Sequence, residues 1–517
     1  MKRARILWTD DEIDLLKPHI LFLEEKGFEL FTASNGDDAI EMVTGADFDL
    51  IFLDENMPGL SGIQTLTRIK EIKPEIPVIM ITKSEEEDIM DEAIGSKIAD
   101  YLIKPVNPKQ ILLSIKKHLE TKRLVSEKTV STYQMEFGKI GMQIAQANTF
   151  SEWGDLYKKM VYWELELEQS NETGMNEVFA MQKTDANVNF SKFIKNNYQS
   201  WFAGNMEKPL MSPSLFKERI FKMLDENQKV FVLIIDNFRY DQWKILQPII
   251  SEYLMVESEE LYCSILPTAT QYARNSIFAG LMPLEIARMH PEYWLNDEDE
   301  GGKNMKEAEL LQTQLNRYGK KYKFQYEKIN HNKAGEKIVE NISDLLNNQL
   351  NVLVYNYIDM LSHARTEMEM IRELAGDESA YRSLTISWFK HSPLFALIKE
   401  LQNHNVKVVI TTDHGTVRVQ KPVKVVGDKN TSTNLRYKCG RNLNYNPKEV
   451  FEIREPEKVH LPKTNISTSY IFALNNDFLA YPNNFNYYVS YYKDTFQHGG
   501  ISLEEMIIPF VKLKPNI

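Results

Sequence analysis

Five apolar runs in this chain break off at an aspartate: RILWTD (5–10), FDLIFLD (48–54), VFVLIID (230–236), VLVYNYID (352–359) and VKVVITTD (406–413). Each is of strand length, and amphipathic stretches with apolar residues at helical spacing lie between them. Such alternation builds parallel sheets covered by helices, and in these sheets the carboxyl ends of the strands share one edge, where ligands bind. The fold class is therefore α/β, with aspartates collected at the functional edge. One aspartate after a strand usually caps a helix. Repetition is what points to chemistry.

At roughly 150 residues per domain, 517 residues imply about three domains. Lys plus Arg total 61 against 73 for Asp plus Glu, a net charge of -12 that argues against a surface made to wrap polyanions. The longest apolar runs fall far short of the roughly 20 residues of a spanning helix. The basic start, MKRARILWTDDEID, meets acids too early to serve as a secretory signal. Cys263 and Cys439 form no metal or redox pattern, which fits a reducing cytoplasm.

Residues 1–120 read as a doubly wound five-stranded parallel sheet. Strand ends bring together Asp10, Asp11, Asp54, Thr82 and Lys104, the last followed by Pro105. Clustered carboxylates repel unless a hard cation such as Mg²⁺ bridges them, and one can then accept a phosphoryl group. Asp54 is the expected acceptor, with Lys104 and Thr82 on the phosphate oxygens. This stretch, with LDENMPGLSG around Asp54 and KP at the fifth strand, resembles the receiver domain of bacterial response regulators. The resemblance implies phosphorylation by a sensor histidine kinase and places Tyr101 at that family's aromatic switch position.

Glycine and proline then thin out. Ile111, Leu112, Ile115 and Leu119, and later Trp153, Leu156, Met160, Trp163, Leu165 and Leu167, recur at helical spacing. Residues 121–205 are expected to form a helical bundle joining two larger domains, its apolar stripe serving as core or dimer contact.

In residues 206–517 the acids Asp236, Asp359 and Asp413 are accompanied by His363, four residues after Asp359, by His414 and by His498. Three aspartates and three histidines suit Zn²⁺ or a similar first-row metal, and two ions can share them. The segment LPTATQYARN offers hydroxyls at Thr268 and Thr270. A threonine becomes nucleophilic near neutral pH when a metal activates it, and the other hydroxyl is expected to cap the following helix. The order of these residues resembles the alkaline phosphatase superfamily, and LPTATQYARN and HGGISLEEM resemble its PglZ branch. The resemblance implies an alkaline-phosphatase-like α/β domain with one metal on Asp359, His363 and His498 and the other on Asp236, Asp413 and His414. It selects Thr270, the second threonine of P-T-x-T, as nucleophile. Arg274 and Asn275 are expected to donate to phosphate oxygens. Cys263 lacks the sulfatase arrangement. His290, His331, His391, His404 and His460 carry no partner pattern, and the acidic run 296–302 is expected to be a solvated loop that could shield the mouth of the site.

The whole order, receiver, helical linker and PglZ-like domain, resembles a family of atypical response regulators linked to type IX secretion and gliding motility. The resemblance implies a two-zinc phosphodiesterase of oligonucleotides, cyclic ones included, controlled by phosphorylation-promoted homodimerisation. Its alternative is an adaptor that docks a sigma factor or a secretion-motor protein through a non-catalytic domain. No helix-turn-helix with a basic recognition helix is evident.

Overall fold

The computed structural model describes residues 3–83, 98–170, 173–204, 207–367, 376–428 and 431–516. Two compact units divide the chain, Met1–Thr132 and Tyr133–Ile517.

In the first unit, β1 (Arg5–Thr9), β2 (Glu29–Ala33), β3 (Leu50–Asp54), β4 (Val78–Thr82) and β5 (Asp100–Ile103) pair in parallel in the order β2-β1-β3-β4-β5. Successive strand residues face opposite sides. Leu7, Ile51, Leu53, Val78 and Met80 accordingly pack with Ala39 and Val43 of α2 (Gly36–Gly45) and Leu66 and Ile69 of α3 (Gly62–Ile72). On the other face Ile6, Trp8, Leu50, Phe52, Ile79 and Ile81 pack with Leu23 of α1 (Lys17–Glu25) and with Ile111 and Ile115. Those isoleucines belong to α4 (Pro108–Gln146), which begins in the first unit and ends in the second.

The second unit is built on a six-stranded sheet: β6 (Val230–Ile235), β7 (Leu254–Cys263), β8 (Phe324–Ile329), β9 (Leu350–Tyr355), β10 (Lys407–Thr411) and a C-terminal strand, Ile507–Pro515. From one edge to the other, β7 is followed by the C-terminal strand, β10, β6, β9 and β8. Strands β10, β6, β9 and β8 run parallel, and the C-terminal strand is antiparallel to both its neighbours. β6 is buried along its whole length, as its uninterrupted VFVLII requires. Its neighbours are β10 and β9, which stop at Thr411 and Tyr355, short of the acids: Asp413 follows two residues after β10, and the run expected to reach Asp359 as strand turns into helix at Tyr357 instead. A two-stranded ribbon, β11 (Val417–Arg418) and β12 (Phe496–Gln497), joins the segments after His414 and before His498.

Helices α5 (Phe150–Ser170) and α6 (Thr173–Phe202) pack into the same hydrophobic core as this sheet. Trp153, Leu156, Met160, Trp163 and Leu167 are all buried there, so the helical stripe is core. Trp153 meets the rings of Phe190 and Phe193 at 5.4 and 6.1 Å. Ion pairs lock the contact: Lys183 bridges Glu164 at 3.0 Å and Glu504 at 3.1 Å, while Arg382 binds Glu164 at 3.0 Å and Asp241 at 2.9 Å. Breaking one member of such a buried set is far more damaging than its net contribution suggests, because the partner is left charged and dry. Emptying the Trp153 site is expected to destabilise the second unit by about 3–5 kcal/mol. Urea unfolding of Trp153→Ala followed by circular dichroism should show this loss, with the first unit's transition unmoved.

Candidate active site

The edge of the first sheet is assembled by strand order alone. Lys104 Nζ lies 2.8 Å from Asp10 Oδ2 and 3.0 Å from Asp54 Oδ1, and the Lys104–Pro105 peptide is cis. Burial raises the Asp54 carboxyl, and the ammonium of Lys104 only partly offsets this. Asp10, Asp11 and Asp54 each present a carboxylate oxygen within 4.8 Å of the others, an all-oxygen set suited to a hard divalent ion. Thr82 is buried at the neighbouring strand end and shares a hydrogen bond with the half-buried Tyr101, whose hydroxyl is raised chiefly by burial.

In the second unit the three acids arrive by three different local routes. Asp236 directly follows β6 and is succeeded by Asn237 in the left-handed conformation at φ 64°. Asp413 follows β10 by two residues. Asp359 lies beyond the end of β9, inside the first turn of α8 (Tyr357–Glu367), which puts His363 one turn further along the same face.

Two donor sets result. Asp359, His363 and His498 form one, and Asp236, Asp413 and His414 the other, with ligand atoms within 4.8 Å in each. The rings of His414 and His498 stack at 4.2 Å, so the two sets adjoin. Each of these two rings is aimed by the carbonyl its other nitrogen meets. His414 Nδ1 lies 3.0 Å from the Gly415 carbonyl and His498 Nδ1 3.2 Å from that of Thr268, which turns both Nε2 atoms to the acids. Burial lowers His414 to about 4, leaving it neutral and able to bind metal at pH 7. Burial opposes protonation of His498 too, but Asp359 outweighs it and raises the imidazole.

The carboxylates show what the set lacks. Burial drives the Asp236 carboxyl well up despite Arg274, helped by the charges of Asp413 and Asp359. At Asp413, by contrast, His414 and Arg274 overcome burial and hold the acid down. Among the described residues, buried Asp413 Oδ2 and Asp359 Oδ1 accept no hydrogen bond, with His498 Nε2 3.5 Å from the latter and Arg274 3.7 Å from the former. Buried lone pairs of this kind call for a cation, and mixed imidazole and carboxylate donors fit divalent metals in both sets.

Thr270 stands at the start of α7 (Thr270–Ala279), with Oγ1 3.1 Å from His414 Nε2 and 3.4 Å from Asp236 Oδ1. Thr268 does not cap that helix. Its hydroxyl donates to the Gly500 carbonyl at 2.8 Å and accepts from the Gly499 amide at 3.1 Å, which stitches down the loop carrying His498. The two threonines thus have separate tasks.

Arg274 and Asn275 require correction as substrate donors. Arg274 is 1% exposed and pairs with Asp236 at 2.5 Å and Glu307 at 2.6 Å, a buried counter-charge to the acids. Asn275 donates to the Lys303 carbonyl at 3.1 Å and accepts from Asn304, bracing a loop. Sequence reasoning missed Glu307, which lies far along the chain in an ordinary amphipathic helix. Asn237 was missed as well: it donates to Ser362 at 3.1 Å and so ties the Asp236 turn to α8. Gly415 is needed for close approach, because a Cβ there would sit 2.0 Å from the Glu504 carbonyl oxygen.

Comparison with known proteins agrees with this layout. Residues 215–513 match the model of the BREX system PglZ alkaline phosphatase-like domain, residues 123–202 the PorX response regulator linker domain, and residues 6–116 the response regulator receiver domain. The transcriptional regulatory protein ResD of Bacillus subtilis is 36% identical over 113 residues, 22% of this chain and 47% of its own length. SrrA of Staphylococcus aureus is 36% identical over 111 residues, 22% of this chain and 46% of its own. The chain thus spans about half the length of the curated relatives it matches. A receiver domain protein from Clostridium thermocellum is 32% identical in sequence, with a TM-score of 0.23, covering 23% of this chain and 98% of that one. No helix among the described residues is long and apolar enough to cross a membrane. The chain belongs to the PglZ alkaline phosphatase-like family, and its receiver and linker make it a PorX-like two-component response regulator with that phosphatase-like domain as effector.

Proposed function

We propose that phosphorylation of Asp54 by a sensor histidine kinase controls a cytoplasmic two-zinc phosphodiesterase that hydrolyses oligonucleotides, cyclic ones included. One observation carries the reading: Thr270 Oγ1 lies 3.1 Å from His414 Nε2 and 3.4 Å from Asp236 Oδ1, ligand atoms of one donor set whose His414 ring stacks on His498 of the other. Asp359, His363 and His498 would hold one Zn²⁺, and Asp236, Asp413 and His414 the other. When bound, the ions would supply charge that activates a hydroxyl and stabilises attacking and leaving oxygens. The role assigned to this control is in type IX secretion and gliding motility, as the resemblance of the whole domain order to atypical response regulators implies.

The chain's own residues define the rest. Thr270 gives up its hydroxyl proton to water and attacks phosphorus; the Oγ1–P bond forms as one P–O ester bond breaks, the departing oxygen takes a proton from water, and a second water later cleaves the threonyl phosphodiester, restoring the hydroxyl and releasing a phosphomonoester. The N-terminal amides of α7 lie beside the phosphoryl group and favour its negative charge. Arg274 stays behind Asp236, a positioning residue rather than a substrate ligand. Thr268 fixes the His498 loop, and Gly415 lets His414 reach the centre.

Thr270→Ala should lower kcat on bis(p-nitrophenyl) phosphate by several orders of magnitude with zinc content and fold intact. Full turnover in that variant would rule out the covalent route. A zinc-loaded wild type without any turnover would favour the adaptor role instead.

In the receiver, Mg²⁺ held by Asp10, Asp11 and Asp54 would allow Asp54 to accept the phosphoryl group. Thr82 then turns toward the new phosphate oxygens and Tyr101 follows, reshaping the surface used for homodimerisation. Sedimentation is expected to show a larger mass with beryllofluoride in the wild type, and no change in Asp54→Ala. Equal masses in the treated and untreated wild type would contradict this control.

A further inference from the structure

We propose that an exposed tyrosine helix ending six residues before His498, α9 (Phe485–Tyr492), is a stacking platform for the bases of a single-stranded nucleotide substrate, an inference that rests on the phosphodiester reading above. Its sequence is FNYYVSYY. Phe485, Val489 and Tyr492 pack inward against Val417, Val419, Phe478 and Ala480. Tyr487 and Tyr488 face outward, 65% and 39% exposed. The i, i+4 spacing stacks the rings in two rows: Tyr487 on Tyr491 with centroids 6.2 Å apart at 16°, and Tyr488 on Tyr492 at 6.1 Å and 12°. Between the rows the rings meet edge to face.

Scattered exposed aromatics are ordinary, but a small helix presenting several flat faces is not explained by packing, since its inward side already fills the core. Two features say what covers it. The first is continuity with the centre. α9 packs on Val417 of β11, three residues after His414, and Tyr492 precedes His498 by six residues, no more than about 20 Å of chain even when fully extended. The second is charge. Lys493 at the end of α9 and Lys424, whose Nζ stands 4.7 Å over the Phe485 ring, are both exposed and suit backbone phosphates. Asn486, Tyr487, Tyr488, Ser490 and Tyr491 join aromatic faces, on which successive bases can stack, to polar groups that can meet the sugar and phosphate. A phosphodiester at Thr270 would thus extend its neighbouring nucleotides over α9.

The test uses full-length, zinc-loaded protein carrying Thr270→Ala, so that binding is read without hydrolysis. Fluorescein-labelled oligothymidylate is titrated by anisotropy beside an abasic strand of equal length. The bases should tighten binding by about ten-fold or more. Adding Tyr487→Ala and Tyr491→Ala should abolish that advantage, and Tyr487→Phe with Tyr491→Phe should keep it. Equal affinity for the two strands, no binding of either, or an advantage unchanged in the alanine variant would overturn the platform and leave the tyrosines to a protein partner. Hydrolysis of bis(p-nitrophenyl) phosphate by the wild type reports separately on the phosphodiesterase reading.

Discussion

Three carboxylates brought to one dry edge of a sheet cannot all remain charged without cations, and the second unit is arranged around that requirement. The adjacency of β10, β6 and β9 fixes Asp413, Asp236 and Asp359 side by side before any side-chain preference acts. Arg274 answers part of the charge from beneath, and itself needs Glu307 to balance it. The imidazole of His498, raised by Asp359, answers another part. Among the described residues, buried carboxylate oxygens of Asp359 and Asp413 still accept no hydrogen bond. Two divalent ions would complete the balance, and the hydroxyl beside Asp236 and His414 is the one they would activate.

The ligand loops are held from outside the sheet edge by tight contacts. Glu504 is the busiest of these positions. Its carboxylate pairs with Lys183 and accepts from Asn187, both on α6, while its backbone carbonyl leaves no room for a side chain at position 415. Glu505 accepts from the Gly500 amide at 2.9 Å and pairs with Arg436 at 2.6 Å. Helix α6, the loop carrying His498 and the turn carrying His414 therefore share one buried polar network. A displacement of α6 would be felt at both metal sets, because close-packed interiors transmit small shifts instead of absorbing them.

Much of this was legible along the chain because each element announces itself locally. Apolar runs ending in Asp54, Asp236 and Asp413 mark strand ends, and the four-residue step from Asp359 to His363 marks one helical face. What stayed hidden depends on distant partners. Nothing around Arg274 reveals Glu307, and nothing around Thr268 reveals Gly499 and Gly500, so a helix cap and substrate donors were reasonable readings of hydroxyl, guanidinium and amide groups. The fusion of α5 and α6 with the catalytic core was equally hidden. An amphipathic stripe is the same whether it faces a sister helix or a sheet, and only Lys183 and Arg382 meeting their acids decides which.

The central claim is that two metals would share the edge, one in each donor set, with Thr270 beside the set of Asp236, Asp413 and His414. Anomalous difference maps from crystals of the zinc-loaded chain test it most directly. The account predicts two peaks at the zinc edge, one among Asp359, His363 and His498 and one among Asp236, Asp413 and His414. A single peak, or peaks away from these side chains with Asp236 still neutralised by Arg274 alone, would contradict it.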